Sequence, residues 1–415
     1  MSAVSLGQTK IVVLSDIHVM PRELLVSDGT AWQYQLAAER KMLDKSQELF
    51  DVMTDRLKTE LKPDLVLITG DLTKDNELAS HQYVVRKLDE LRAAGIRTLV
   101  IPGNHDQSSR RTMSYDGDKT IPVEAATRTV FAELYEEYGY GATSDREEGS
   151  LTYACEPIQG LVVIGIDSGL RGELSDTTLQ WVCDKATEAR QAGKQVVAMM
   201  HHPLFPHFHG VDKFVSQAVV NNYATVRNRL ADAGIRVVFT GHFHTSDIAK
   251  DYNGDLTKAI YDINTGSLIS YPCDYREVTL SADLHTMHIT TGHISSLPND
   301  AHFTTTSKER LATSMKQRIS DRSDALSLLA DDVAEAFIVH AEGNEHLSPK
   351  SQELLNKMEY ILNGARDMIK MMPQLKDKLN DAEKMANSVM KDISEYGEPG
   401  RENQTDDLTL TIELP

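Results

Sequence analysis

Short apolar runs and helical stripes alternate along the chain from Ile11 to His244. Ile11 to Ser15 (IVVLS) is too short for a helix and rich in β-branched residues, so it predicts a buried strand. Asp64 to Thr69, Thr98 to Pro102, Leu161 to Ile166, Gln195 to Met200 and Arg236 to Thr240 follow the same pattern. Between them, Ala79 to Ala94 carries Val84, Leu88 and Leu91 at helical spacing, and Ala224 to Ala233 carries Val226 and Leu230. This alternation predicts an α/β domain with sheets sandwiched between helices.

From about Leu256 the pattern changes. Lys258 to Thr265, Glu277 to Ala282 and Thr286 to Thr291 predict strands that close a sheet, and Ser295 to Asp300 (SSLPND) reads as a linker. Three helical stripes follow: Leu326, Leu329, Val333 and Phe337; then Leu354, Met358, Ile361 and Leu362; then Met372, Leu375, Leu379, Met385, Val389 and Ile393. Leu408, Leu410, Ile412 and Leu414 alternate like a final strand. The chain of 415 residues is too long for one ordinary core. It divides into an α/β domain over 1–298 and a mainly helical C-terminal domain over 299–415. The Met-rich stripe is read as helix packing that covers the core or forms a homodimer contact.

Polar clusters follow most of these strands immediately: Asp16 to His18, Gly70-Asp71, Gly103 to Asp106, His201 to Pro203, and Gly241 to His244. In α/β domains ligands bind beyond the carboxyl ends of strands. Seven of the 15 histidines (His18, His105, His201, His202, His207, His242 and His244) fall in short clusters here. Asp16 and His18 are two apart, so a strand end can aim both at one point. Asp71 and Asn104 each follow a glycine that lets the backbone turn. With His201, His242 and His244 this gives three oxygen donors and four imidazoles. That is enough for two borderline metal ions if one carboxylate bridges them. Mixed O and N donors suit Mn, Fe, Co, Ni or Zn and do not suit Ca. Two such ions would neutralise phosphate oxygens and acidify a bridging water for in-line attack on phosphorus. His105, beside Asn104 with its imidazole free, would give a proton to the departing oxygen.

The remaining features are less pointed. His202 is expected to be structural. His207 and His209 lie in a loop that would be either solvated or touching substrate. Met20 to Arg40, with Trp32 and Tyr34, would either wall a substrate pocket or pack at an edge. Net charge is −19, from 62 acids against 43 bases, which disfavours nucleic acid as a partner and favours small phosphate esters. Three scattered cysteines form no CxxC pair, which reads as reduced thiols in a cytoplasm, although an exported chain without its leader would look the same. No apolar run approaches a membrane span.

The ordered set Asp16-x-His18, Gly70-Asp71, Gly103-Asn104-His105-Asp106, His201-His202-Pro203 and Gly241-His242-Phe243-His244 resembles the calcineurin-like metallophosphoesterase family, with five motifs in order across residues 11 to 245. The resemblance implies a four-layer α/β/β/α sandwich, with 1–298 as the catalytic domain and a helical C-terminal extension. It implies that Asp16, His18 and His244 hold a first metal, that Asn104, His201 and His242 hold a second, and that Asp71 bridges. His105 would act on the leaving group, with Asp106 orienting it. Purple acid phosphatases carry a Tyr three residues after the bridging Asp. This chain has Lys74 there, so that subgroup does not fit. The Gly-Asp-Leu-Thr and Gly-Asn-His-Asp forms resemble the class III cyclic nucleotide phosphodiesterase branch. The implied activity is hydrolysis of small-molecule phosphodiesters, 3′,5′-cyclic nucleotides among them, by a metal-bridging hydroxide, with Mn, Fe or Zn as the divalent ions. Alternatives within the family are a phosphomonoesterase, a nuclease or a protein phosphatase. The alternative from another class is a non-catalytic metal-binding scaffold, against which the complete donor set and the intact His105 argue.

Overall fold

A computed structural model of the chain describes residues 7–207, 217–320, 330–343, 356, 402–403 and 407–415. Two sheets form its centre. The first runs in the order Thr409–Glu413, Thr286–His293, Asp274–Leu280, Thr9–Leu14, Leu65–Ile68, Arg97–Val100. The second runs Glu402–Asn403, Asp247–Tyr252, Ala259–Asn264, Val237–Thr240, Gln195–Met200, Leu161–Ile166, Tyr153–Ile158, Asp145–Arg146. In each sheet the strands that lead to the polar clusters are parallel neighbours, so their carboxyl ends lie at one edge.

Alternation in the second sheet explains the layers. Val163, Val197, Val237 and Phe239 join the core shared with Val12, Val13 and Leu67 of the first sheet. Val162, Ile164, Val196, Ala198 and Val238 face the other way, against Leu179, Val182, Val226 and Leu230 of the helices Asp176–Gln191 and Tyr223–Asp232. Helices Ser46–Arg56 and Leu78–Ala93 bring Leu49, Phe50, Met53, Val84, Leu88 and Leu91 to the first sheet's core. The result is the expected helix, sheet, sheet, helix order. Among the described residues no helix is long and apolar enough to cross a membrane.

Some strands had no sequence signal. Asp247–Tyr252 (DIAKDY) breaks the apolar alternation because Asp247 and Asp251 are buried against His207 and Arg227. Past the Ser295–Asp300 turn, helices Phe303–Ser320 and Ala330–Ala341 pack together through Leu311, Met315, Ala334 and Ile338, around Tyr271. Val333 and Phe337 of the first predicted stripe lie on the second of these helices. Leu326, Leu329 and both later stripes lie outside the described residues, as does His209. The final strand forms as Thr409–Glu413 and pairs antiparallel with Thr286–His293.

Two buried polar groups join the parts. Arg276 donates to the carbonyls of Asn264 (2.7 Å), Asp247 (3.3 Å) and Asp407 and to the Thr291 hydroxyl, linking the first sheet to the second and to the C-terminal segment. Arg276→Met should therefore lower unfolding free energy by about 2–4 kcal/mol, because several buried carbonyls lose their donor. A urea midpoint equal to wild type would contradict this.

His207 is neither solvated nor poised for substrate. It is buried between Asp247 (3.3 Å) and Asp262 (3.0 Å). Burial opposes its charge, but the two carboxylates outweigh that and push its pKa up to about 10. A pKa raised above the unfolded value of about 6.5 stabilises fully below that pH and is lost as pH climbs through the folded value. Wild type should lose about 3 kcal/mol of stability between pH 7 and the region above 10, the scale of breaking a buried pair. In His207→Gln that slope should flatten, as read by denaturant titration at each pH.

Candidate metal centre

Five of the seven expected donor residues occupy backbone conformations that side chains rarely adopt. Asp16 (φ 50°), His18 (φ 37°), Asp71 (φ 51°), His242 (φ 73°) and His244 (φ 63°) are all left-handed. Such strain persists only where the surroundings over-determine it, and it gathers at functional sites. Here the strand-end loops hold each other: Asp16 N–H donates to Gly70 O (3.1 Å) and His18 N–H to Asp71 O (2.9 Å). The loops also approach closely. A Cβ on Gly70 would lie 2.8 Å from both Gly103 N and His201 Nδ1, and one on Gly103 would lie 2.2 Å from Asp71 Oδ1. Glycine at both positions is a steric necessity.

The donor atoms converge from both sheets. His244 Nε2 is 3.1 Å from Asp16 Oδ1 and 3.2 Å from His18 Nε2. His201 Nε2 is 3.0 Å from Asn104 Oδ1. Asp71 Oδ2 lies 3.6 Å from His18 Nε2 and 3.3 Å from His201 Nε2, so one carboxylate faces both sets. Three groupings are close enough to hold an ion: Asp16 with His18 and His244, Asp71 with His201 and His242, and His18 with Asp71 and His105. All seven expected donor residues, Asp16, His18, Asp71, Asn104, His201, His242 and His244, thus meet at one place.

The protonation pattern suits a cation. His18 Nδ1 and His201 Nδ1 donate to the carbonyls of Thr73 (3.3 Å) and Thr69 (2.9 Å), and His244 Nδ1 meets Ser270 Oγ at 3.3 Å. These contacts leave the Nε2 lone pairs turned inward. Asp16 Oδ2 accepts from Ser15 Oγ (2.5 Å) and from His242 N–H (2.9 Å), while its buried Oδ1 has no hydrogen-bond partner among the described residues. Inward lone pairs beside an orphaned carboxylate oxygen repel one another, and a divalent ion relieves that repulsion. The charges agree. Burial would raise Asp16, yet the neighbouring imidazoles hold it well below the usual carboxylate range. Burial drives His242 down to about 3 and His244 to about 4. His201 is the exception: burial works against its charge too, but Asp71 outweighs it and lifts that imidazole to about 9, so a bound cation would have to displace its proton.

His105 stands edge-on to His18, with ring centroids 4.7 Å apart. Asp106 does not orient it. Its carboxylate accepts instead from the backbone N–H groups of Leu72, Thr73 and Gly103 (each 2.9 Å) and from the Thr73 hydroxyl (2.7 Å), so it staples two loops together. Burial and the Asp71 charge still push Asp106 up to about 6. The group that meets His105 is Asp75, whose Oδ1 lies 2.8 Å from Nδ1, alongside the Lys74 carbonyl at 2.8 Å. Asp75 in turn pairs with buried Lys74 (2.6 Å), which also pairs with Glu77 (3.1 Å). Burial opposes its charge, but the His105 contact and Lys74 keep Asp75 well below the carboxylate range. Sequence reading missed this chain. Its signal was the run Lys74-Asp75-Asn76-Glu77 directly after the second motif, which looks like an ordinary solvated stretch. Asp75→Asn should slow turnover about 10–100-fold, the worth of one charge-assisted hydrogen bond, at unchanged metal content.

His202 is buried, with Nδ1 2.8 Å from Ser168 Oγ and its ring 4.6 Å from that of His242, and belongs to none of the three groupings. In the Met20–Arg40 insertion, Trp32 packs on Tyr115 at 4.9 Å while Tyr34 is 78% exposed. Leu25–Ser27 joins Met113–Asp116 and Lys119–Pro122 in a small third sheet. Arg40, at the far end of the insertion, donates from Nη2 to the Phe243 carbonyl (3.0 Å), between His242 and His244.

The family model described as calcineurin-like phosphoesterase matches residues 9–246. A Synechococcus sp. protein named "Probable cyclic nucleotide phosphodiesterase" is 27% identical over 45% of this chain and 60% of its own. One from Arcobacter nitrofigilis, named "Probable glycerophosphodiester phosphodiesterase GpdQ", is 27% identical over 44% of this chain and 57% of its own. The match therefore spans little more than half the length of these relatives. A dimetal phosphatase from Danio rerio aligns in structure at TM-score 0.46 and 11% identity, over 69% of this chain and 96% of that one. With a family match over more than half of its length, laid on the strands and loops that build this centre, the chain belongs to the calcineurin-like phosphoesterases.

Proposed function

We propose that the protein is a dimetal hydrolase of small-molecule phosphodiesters, with 3′,5′-cyclic nucleotides as one substrate class. The observation that carries this reading is Asp71, whose one carboxylate oxygen faces imidazoles from both groups at 3.6 and 3.3 Å. Asp16, His18 and His244 would hold one ion, Asn104, His201 and His242 the other, and Asp71 both. Bound there, two divalent ions supply neutralisation of phosphate oxygens and acidification of water for in-line attack. The chain's own part is positional. Asp106 fixes the loops that carry Asp71 and Asn104, Asp75 aims His105, and His105 delivers a proton to the departing oxygen. The names of the relatives favour diesters over monoesters, and the ligand chemistry admits Mn, Fe or Zn.

The test is turnover of bis(p-nitrophenyl) phosphate, p-nitrophenyl phosphate and 3′,5′-cyclic AMP by the full chain with and without Mn²⁺. Metal-dependent cleavage, faster on the diesters, is expected. No metal-dependent cleavage of any ester, despite bound Mn²⁺, would leave the scaffold reading in its place.

A further inference from the structure

The segment from Glu39 to Met42 crosses the His244 flank of the centre on two anchors. Arg40 Nη2 donates to the carbonyl of Phe243 (3.0 Å), between His242 and His244. Met42 N–H donates to Ile269 O (2.8 Å), one residue before Ser270, which meets His244 Nδ1. Helix Phe303–Ser320 braces the segment from behind, with Ser314 Oγ donating to Glu39 O (3.2 Å) and Arg310 pairing with Asp44 (2.6 Å). Lys41 sits between the anchors. It is buried, and its ammonium lies 3.7 Å from the Glu39 carboxylate. Arg40 is half-buried and has no carboxylate within ion-pair distance among the described residues.

Both positive charges bear on the centre. Arg40 reaches the carbonyl between His242 and His244, and buried Lys41 follows it on a segment tied through Met42 to the loop that carries Ser270. A guanidinium and an ammonium drawn out of water beside a metal position repel the metal and lose hydration. An anion bound between them reverses both penalties. A guanidinium with one N–H fixed on a carbonyl keeps its remaining donors pre-organised for phosphate oxygens.

We propose that Arg40, seconded by Lys41, forms an anion-binding position on the Asp16–His18–His244 flank that takes phosphate oxygens of the substrate and of the product. The assignment rests on the phosphoester reading above, and its test is kept separate by measuring binding. Inorganic phosphate is titrated calorimetrically into the full-length, Mn²⁺-loaded protein at low ionic strength. Arg40→Gln and Lys41→Met should each weaken phosphate binding at least about tenfold, the size of one charge-assisted contact, while Mn²⁺ content stays at the wild-type level. Arg40→Lys should recover part of the loss at Arg40. On a diester, KM should rise more than kcat falls, as expected when binding common to ground and transition states is lost. Phosphate affinity equal to wild type in both variants overturns the proposal, and so does loss of Mn²⁺ in step with loss of phosphate, which would make the segment a structural support of the metal position. A wild-type protein that binds phosphate through Arg40 yet cleaves no ester would sink the hydrolase reading and leave this assignment standing.

Discussion

Replacing Asp71 with alanine should strip both Mn²⁺ ions from the protein and cut phosphodiester turnover by more than about 10⁴-fold, beyond the upper end of what one proton donor supplies. The reasoning is geometric. Asp71 is the only carboxylate in two of the three candidate groupings among the described residues. Its Oδ2 faces His18 and His201, and its Oδ1 accepts the His105 N–H at 2.7 Å. Losing it removes the shared negative charge between the two sets of imidazoles. Asp71→Asn keeps the shape and the His105 contact, so it separates charge from loop structure. It should bind metal weakly while unfolding like wild type. Metal analysis of dialysed protein is the readout. Two tightly held ions in Asp71→Ala would mean that the two groups work independently and that the bridging role is wrong.

His105→Ala should behave in the opposite way, keeping its metals and losing about 10²–10⁴-fold in rate. His105 is fixed through Nδ1 by Asp75 and the Lys74 carbonyl. Nε2 is the atom left for chemistry. The loss should be largest for esters of ordinary alcohols and smaller for p-nitrophenyl esters, whose anion leaves without a proton. That leaving-group dependence distinguishes a proton donor from a group that merely fills space. The close grouping of His105 with His18 and Asp71 raises a rival, direct ligation, which predicts a lost ion instead.

Much of this centre could be read from the chain because each donor sits directly after a strand that announces itself. Ile11–Leu14 and Leu65–Ile68 are apolar at every position, and burial on both faces demands that. What could not be read depends on contacts between segments distant in sequence. Asp106 neighbours His105 in the chain, which made it the natural orienting group, yet its side chain turns towards Leu72 and Thr73. Asp75 reaches His105 across a separation of 30 residues. Arg40 and Phe243 are 203 residues apart. His207 looked like a loop histidine because nothing local marks Asp247 and Asp262 as its neighbours. Hydrophobic periodicity finds what is buried by being apolar. It is silent about charges buried in pairs.

The outermost strand of the first sheet also bears on how the protein is made. Thr286 is paired with Glu413, 127 positions further along. A ribosome will have released the whole metal-binding region and both described helices beyond it before that partner emerges. Until then the backbone donors and acceptors along Thr286–His293 form an open rim, the kind of surface on which nascent chains stick to one another. Closure of that rim therefore waits on the synthesis of Thr409–Glu413, long after the metal-binding loops have been made.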